Sequence, residues 1–483
     1  MRRVIGTLAP VAVAVLIALV AVPSGLAPHA WLFFAIFAGV VLALILEPIP
    51  APAVGLLGVT VVATLSRVAL FSPAELANPG IDVPARSIEW ALSGFSNPTI
   101  WLSFAAFLFS TGYQKTGLGK RIALYLVKIA GSRTILLGYA ITLADLILAT
   151  FTPSNTARSA GTIFPIIQNL PALYGSQPLT PSARRIGGYV MWTALAATSV
   201  NSSLFLTALA PNVLAVELIR KTTNVEISWM QWFIGFAPAG VVLLLALPII
   251  VFVVYPPEVK RGVQASQWAA EELKKLGPIS RDEGLLAALI SLAIAAWVLA
   301  GGYVHPTTVA LVVIGLLILL RLLTLDDIVG NRESWKALIL LAALVTLAGG
   351  LIRTGFVAWL ADNLAGPIAN HGPTIAIVML LAVYFVSHNM FASITAHVTA
   401  MMPITLAIAA SHPEIPMVKF ALLLSFTHGL MGVLTPYATT SGPVYLGSGF
   451  ITTAEYWRLG AIFGLIFLAA LICLAAPVVL WAS

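Results

Sequence analysis

The chain has 483 residues, of which 60% are hydrophobic and only 9% are Asp, Glu, Lys or Arg, with a formal net charge of +7. A soluble domain carries about 25% charged residues, so this composition excludes a soluble enzyme, a disordered chain and a nucleic-acid binder, and the basic excess records orientation in a lipid bilayer. One cysteine, Cys473, excludes a disulfide framework or a thiolate metal cluster and reads as a small apolar residue.

A bilayer core takes about 20 apolar residues per helix, and on that measure the chain reads as an all-α polytopic membrane protein of about 11 transmembrane helices and two re-entrant hairpins. Residues 1–30 hold an extra N-terminal span, its apolar run at 8–22 following Arg2 and Arg3. It reads as uncleaved rather than as a signal peptide, because the rest of the chain is membrane-embedded too, and no Ser/Arg-rich leader suggests an organellar transit peptide. Scaffold helices 31–114 follow, with spans at 31–47, 51–66 and 98–114; Glu47, just before Pro48, reads as interfacial. An amphipathic interfacial helix is expected over 117–131.

The run 134–170 is interrupted by Thr152-Pro153-Ser154-Asn155-Thr156. Pro153 removes a donor and turns Thr152 away from helix, while Ser, Asn and Thr are N-cap types. This predicts a re-entrant hairpin whose second half-helix starts at the tip, where unpaired N–H groups and the positive dipole end suit an anion. Asp145, in the first arm, is placed either to pair Arg158 across the arms or to act as a coupling carboxylate. The segment 186–220 breaks between Asn201-Ser202-Ser203 and Pro211-Asn212, including Thr207, and a span at 232–255 closes the first half.

A basic linker, 256–283, separates this half from a second over 284–483. That half has scaffold helices across 284–352 (284–301, 306–321 and 336–352), a hairpin at 373–410, a broken helix at 417–450 and a last span at 456–482. Lys115-Thr116-Gly117 pairs with Arg353-Thr354-Gly355, Ser154-Asn155-Thr156-Ala157-Arg158 with Ser393-Ile394-Thr395-Ala396-His397, and Pro165 with Pro403, all at nearly constant offset. Pro211 and Pro443 each suit the first position after a break. The positive-inside rule groups Arg2 and Arg3, the basic residues from Lys115 to Arg185, and those from Lys260 to Arg281 in the cytoplasm, leaving Arg220, Lys221, Arg353 and Lys419 outside. The first hairpin then enters from inside and the second from outside. Inverted repeats with interrupted helices indicate secondary transport by alternating access.

Charges at membrane depth are expensive and mark function. Arg158 and His397 take equivalent places past the two tips and are expected to contact the substrate, together with Thr207, Asn212 and Thr439; Arg158→Ala is expected to abolish transport and spare expression. His388 and His428 read as structural. There is no zinc-binding His-Glu-x-x-His and no nucleotide loop, so neither metal, cofactor nor ATP is expected, and Gly447-Ser448-Gly449 reads as packing rather than as a protease motif.

With these motifs, and with Thr435-Pro436-Tyr437-Ala438-Thr439 running to Tyr445-Leu446-Gly447-Ser448-Gly449, nearly the whole chain resembles the divalent anion/sodium symporter superfamily. Within it the chain is similar to the di- and tricarboxylate antiporters, which include citrate/succinate, tartrate/succinate and plastid 2-oxoglutarate/malate translocators. The resemblance implies an elevator-type homodimer, with hairpins and broken helices in the moving domain. It also implies that Ser154, Asn155, Thr156, Ser393 and Thr395 hold the substrate carboxylates. The chain departs at Ile394, where the symporters have Asn; isoleucine offers nothing to a second sodium ion. A fixed cation at Arg158, aided by His397, would make return of the empty carrier costly, so sodium-independent one-for-one exchange is expected. The alternative is a sodium-coupled dicarboxylate or sulfate symporter.

Overall fold

The computed structural model describes residues 2–299, 303–364, 366 and 371–481, and among these it is helical with no strand. Residues 300 and 301 of the expected span 284–301, and residue 482 of 456–482, lie outside the described residues. Among the described residues, six helices are long and apolar enough to cross a membrane: Pro28–Leu46, Trp229–Val254, Arg281–Leu299, Arg332–Arg353, Pro373–Met390 and Thr453–Trp481. Shorter apolar helices accompany them, among them Thr134–Ala149, Ile394–Ala410 and Met417–Val433, which adjoin the polar interruptions.

Local signals fix the ends. Pro98–Thr116 starts where the Asn97 side chain accepts the N–H of Thr99 at 2.9 Å, and it stops at Gly117 in the left-handed region (φ 79°). Ser228 with Gln231, Thr324 with Asp327 and Thr452 with Glu455 form reciprocal capping boxes. The amphipathic helix Leu118–Ala130 buries Gly119, Ala123, Leu124 and Val127, one helical stripe. Between the spans near 51–66 and 98–114 lie two short helices, Pro73–Leu76 and Val83–Leu92, in a stretch without a predicted element.

At the centre stands Gly187–Leu204, buried at every residue. It packs against Thr134–Ala149, Trp229–Val254 and Met417–Leu430. The crossing with the last is close enough to require glycine: a Cβ on Gly429 would lie 2.4 Å from the Ser199 carbonyl oxygen and 2.5 Å from the Ser203 nitrogen. Ser203 joins the helices further, donating to the Phe426 carbonyl at 2.7 Å and accepting from the Leu430 N–H at 3.2 Å. The two broken helices are thereby held to each other at their breaks.

On one face of the molecule the basic segments meet. Gln264–Leu276 packs along Leu118–Ala130, Arg121 pairs with Glu283 at 2.6 Å and donates to the Gly277 carbonyl, and the Thr134 N–H donates to the Lys260 carbonyl at 3.1 Å. The Val259 N–H reaches the Arg185 carbonyl at 2.9 Å.

Candidate functional site

Both interrupted segments turn in the same way. After Thr134–Ala149 the chain leaves the helix over residues 150–155, and the Ser154 hydroxyl accepts the Ala157 N–H at 3.2 Å. After Pro373–Ser387 and a short turn, Ser393 caps Ile394–Ala410 by accepting the Ala396 N–H at 3.4 Å. The backbone bonds repeat too: Arg158 N–H to Ser154 carbonyl and His397 N–H to Ser393 carbonyl are both 3.0 Å. The first tip differs from expectation in opening a π-helix, Thr156–Ile163, rather than an α-helix. Pro165 lacks an N–H, the Phe164 N–H reaches back five residues to the Ser159 carbonyl, and the wider turn absorbs the irregularity.

The broken helices part where the sequence is polar. Gly187–Leu204 ends at Phe205, and Ala210–Thr223 restarts after Leu206–Ala208, with Pro211 in its first turn. Met417–Leu430 gives way to residues 434–441 before the short helix Gly442–Gly447, which has Pro443 in its first turn.

All four interruptions converge on one cavity of about 190 Å³, small beside the roughly 300 Å³ lower bound of drug-sized pockets. Ser154, Asn155 and Thr156 line it from one tip, Ser393 and Thr395 from the other, Leu209 and Pro211 from the first break, and Thr439 and Thr440 from the second. The Thr156 and Thr440 hydroxyls bond to each other. Thr439 Oγ1 is buried and has no partner among the described residues. Three helices, Thr156–Ile163, Ala210–Thr223 and Ile394–Ala410, begin at this cavity. Their first N–H groups lack intrahelical acceptors, and their positive ends favour negative charge. Hydroxyls, an amide and helix N-termini together form a neutral donor set suited to a small oxyanion.

Four expected residues stand behind this cavity rather than on it. Arg158 is fully buried and commits all three guanidinium nitrogens to protein. Nε donates to Asp145 at 3.1 Å, Nη1 to the Thr152 and Ala208 carbonyls at 2.9 and 3.0 Å, and Nη2 to Thr198 Oγ1 and Ser202 Oγ at 3.1 and 2.8 Å. Asp145 is held from its other oxygen by Asn201 at 2.9 Å. The structure thus selects the ion pair across the arms for Asp145, and Arg158 is neither an isolated cation nor free to bind substrate. His397 is packed among Tyr384, His388 and Phe391, with ring centroids 4.4, 5.1 and 5.0 Å away, and Nε2 lies 3.0 Å from Ser387 Oγ. Thr207 donates to the Thr150 carbonyl at 2.7 Å and accepts from Trp229. Asn212 donates to the Ser202 and Phe205 carbonyls at 2.8 and 3.1 Å. His388 Nε2 lies 3.2 Å from the Ala438 carbonyl and His428 Nε2 3.2 Å from Tyr384 OH, so both serve the packing behind the second break.

Glu47, read from the sequence as interfacial and left out of the expected site, is exposed and also lines the cavity. Its signal was available: no other Asp, Glu, Lys or Arg occurs between Arg3 and Arg67.

A family model described as the sodium:sulfate symporter transmembrane region matches residues 1–482. The chain is 48% identical over 476 residues, 98% of both chains, to proteins named L-tartrate/succinate antiporter from Shigella sonnei and from Escherichia coli strain K12. Among solved structures, the YdaH transporter of Alcanivorax borkumensis superposes with a TM-score of 0.56 at 14% identity, covering 94% of this chain and 99% of that one. The MtrF structure of Neisseria gonorrhoeae gives 0.56 at 13% identity, covering 89% and 95%. At such identities these two show a shared fold alone.

Proposed function

This chain belongs to the family defined by the sodium:sulfate symporter transmembrane region, and from that premise we propose that it exchanges di- and tricarboxylates of the tartrate and succinate class across the bacterial cytoplasmic membrane. It is a multi-pass membrane transporter and not an enzyme. The observation that carries the proposal is the convergence of four helix interruptions on one small cavity whose polar lining, Glu47 apart, consists of neutral donors. Relatives 48% identical over almost the whole chain, named as antiporters, support exchange over symport. Ser154, Asn155, Thr156, Ser393, Thr395 and Thr439 bind the carboxylates, while Arg158, His397, Thr207 and Asn212 hold the interruptions in register.

Hairpins 134–170 and 373–410 are re-entrant, the halves 31–255 and 284–483 are inverted repeats, and the N-terminus and the 256–283 linker are cytoplasmic. The helices of 31–114 and 284–352 form a static scaffold against which the rest moves as an elevator, in a homodimer. The twin hydrogen bonds at Ser154 and Ser393 support the repeat, and the single basic face supports the orientation. Since Asp145 neutralises Arg158, sodium independence rests on Ile394 and on the relatives rather than on a fixed cation.

Purified protein in liposomes tests this. Labelled succinate or tartrate enters only when a dicarboxylate is trapped inside, at the same rate with or without sodium. Sodium-dependent uptake into empty vesicles selects the symporter instead.

A further inference from the structure

We propose that Glu47 determines substrate specificity by reading hydroxyl groups on the carbon chain of the dicarboxylate, favouring hydroxylated acids over unsubstituted ones. The proposal rests on the dicarboxylate assignment of the cavity.

Glu47 follows the helix Pro28–Leu46 in the left-handed region, with φ 45° and ψ 49°, and its N–H closes the helix on the Ala43 carbonyl at 2.9 Å. Glycine or asparagine adopts this backbone at lower cost than glutamate. Pro48 keeps its neighbour out of the right-handed helical region, so the chain direction here is set by backbone geometry. No contact of the carboxylate sets it: Glu47 is exposed and, among the described residues, forms no ion pair and no side-chain hydrogen bond. An exposed carboxylate, free to meet a ligand, thus sits on an unfavourable backbone at the rim of the cavity shared by the two tips.

Its chemistry is opposite to that of the rest of the lining. Ser154, Thr156, Ser393, Thr395, Thr439 and Thr440 carry hydroxyls that donate to an anion, but an ionised glutamate only accepts. The carboxylates of a dicarboxylate also only accept, so their approach to Glu47 is repulsive. A hydroxyl on the second or third carbon is the one donor such a substrate brings. With tartrate, Glu47 gains a charge-assisted hydrogen bond; with succinate, it faces only methylenes and like charge. Sites built to bond a substrate hydroxyl discriminate strongly against the analogue that lacks it.

The experiment uses the full chain in liposomes loaded with labelled dicarboxylate, with external tartrate and succinate compared as competitors for wild type, Glu47→Gln and Glu47→Gly. Glycine keeps the left-handed backbone and removes the carboxylate, so the glycine variant decides the matter even where the glutamine variant fails to fold. Losing a hydrogen bond to a charged group is worth about tenfold or more. The preference for tartrate over succinate therefore falls by about tenfold in the glycine variant, through weaker tartrate and stronger succinate competition, and by less in the glutamine variant, whose amide oxygen still accepts from a hydroxyl. A preference within about twofold of wild type in the folded glycine variant, inside the spread expected without a lost charged contact, overturns the role of Glu47 and leaves dicarboxylate exchange standing. A wild type that exchanges neither acid overturns the dicarboxylate assignment, and this inference with it.

Discussion

Arg158 shows how a buried charge is read differently once its neighbours are known. In sequence it stands beside a hairpin tip and invites an anion. In the structure it ties the tip, through the Thr152 carbonyl, to the first break, through the Ala208 carbonyl, with Asp145 as counter-charge. The Ala210 N–H adds a second tie, to the Pro153 carbonyl at 3.0 Å. Removing one member of a buried pair costs about 3–5 kcal/mol, because the other is left unpaired. Arg158→Ala is therefore expected to lower the melting temperature and the yield of detergent-solubilised protein, contrary to the sequence expectation of intact expression. Combining Asp145→Asn with Arg158→Gln recovers part of the loss. A fully stable Arg158→Ala protein would show that the pair contributes nothing to the fold.

At the scale of elements, the interruptions were legible because they need particular residues. Proline followed by Ser, Asn and Thr ends one helix and caps the next, and the twin serine caps at Ser154 and Ser393 form with the same backbone bonds. The π-helix at Thr156–Ile163 was not legible, since one missing N–H at Pro165 can be absorbed as a kink, a break or a wider turn. Nor was the crossing of the two broken helices, which depends on Gly429 having no side chain. A Cβ there meets backbone at Ser199 and Ser203, which cannot move aside as a side chain would. Overpacking typically costs about 1–3 kcal/mol. Gly429→Ala is expected to lower thermal stability by that order and to reduce exchange, because the breaks lining the cavity shift apart. Wild-type stability and transport in Gly429→Ala would mean that the crossing tolerates separation.

Over the whole molecule, polar contacts gather at the ends of the helices. Lys115 closes Pro98–Thr116 and pairs with Asp327 at 2.6 Å, joining two helices more than two hundred residues apart in sequence. The bond from Lys115 and the cap bonds from Thr324 hold the Asp327 carboxyl down at about 2. A carboxyl lowered on folding stabilises above its unfolded value, near 3.9, and that contribution disappears as pH falls through the folded one. Thermal melts of wild type and Asp327→Asn are thus expected to differ at neutral pH and to converge between about pH 4 and pH 2. A gap that persists undiminished at the acid end would assign the effect to packing instead.

Composition alone settled that this chain lives in a bilayer, since 9% charge leaves too little polar surface for water. Pattern alone located the interruptions, because backbone left unsatisfied at membrane depth is tolerated only where protein or water satisfies it. Which side chains face the cavity was decided by tertiary structure. Arg158 and Glu47 are each a rare charge in an apolar stretch of sequence. One is turned inward onto Asp145 and three carbonyl-bearing neighbours, and the other is held at the cavity by a left-handed turn before Pro48. Sequence records that a charge is present; only the fold buries it against a partner, as at Arg158, or leaves it exposed, as at Glu47.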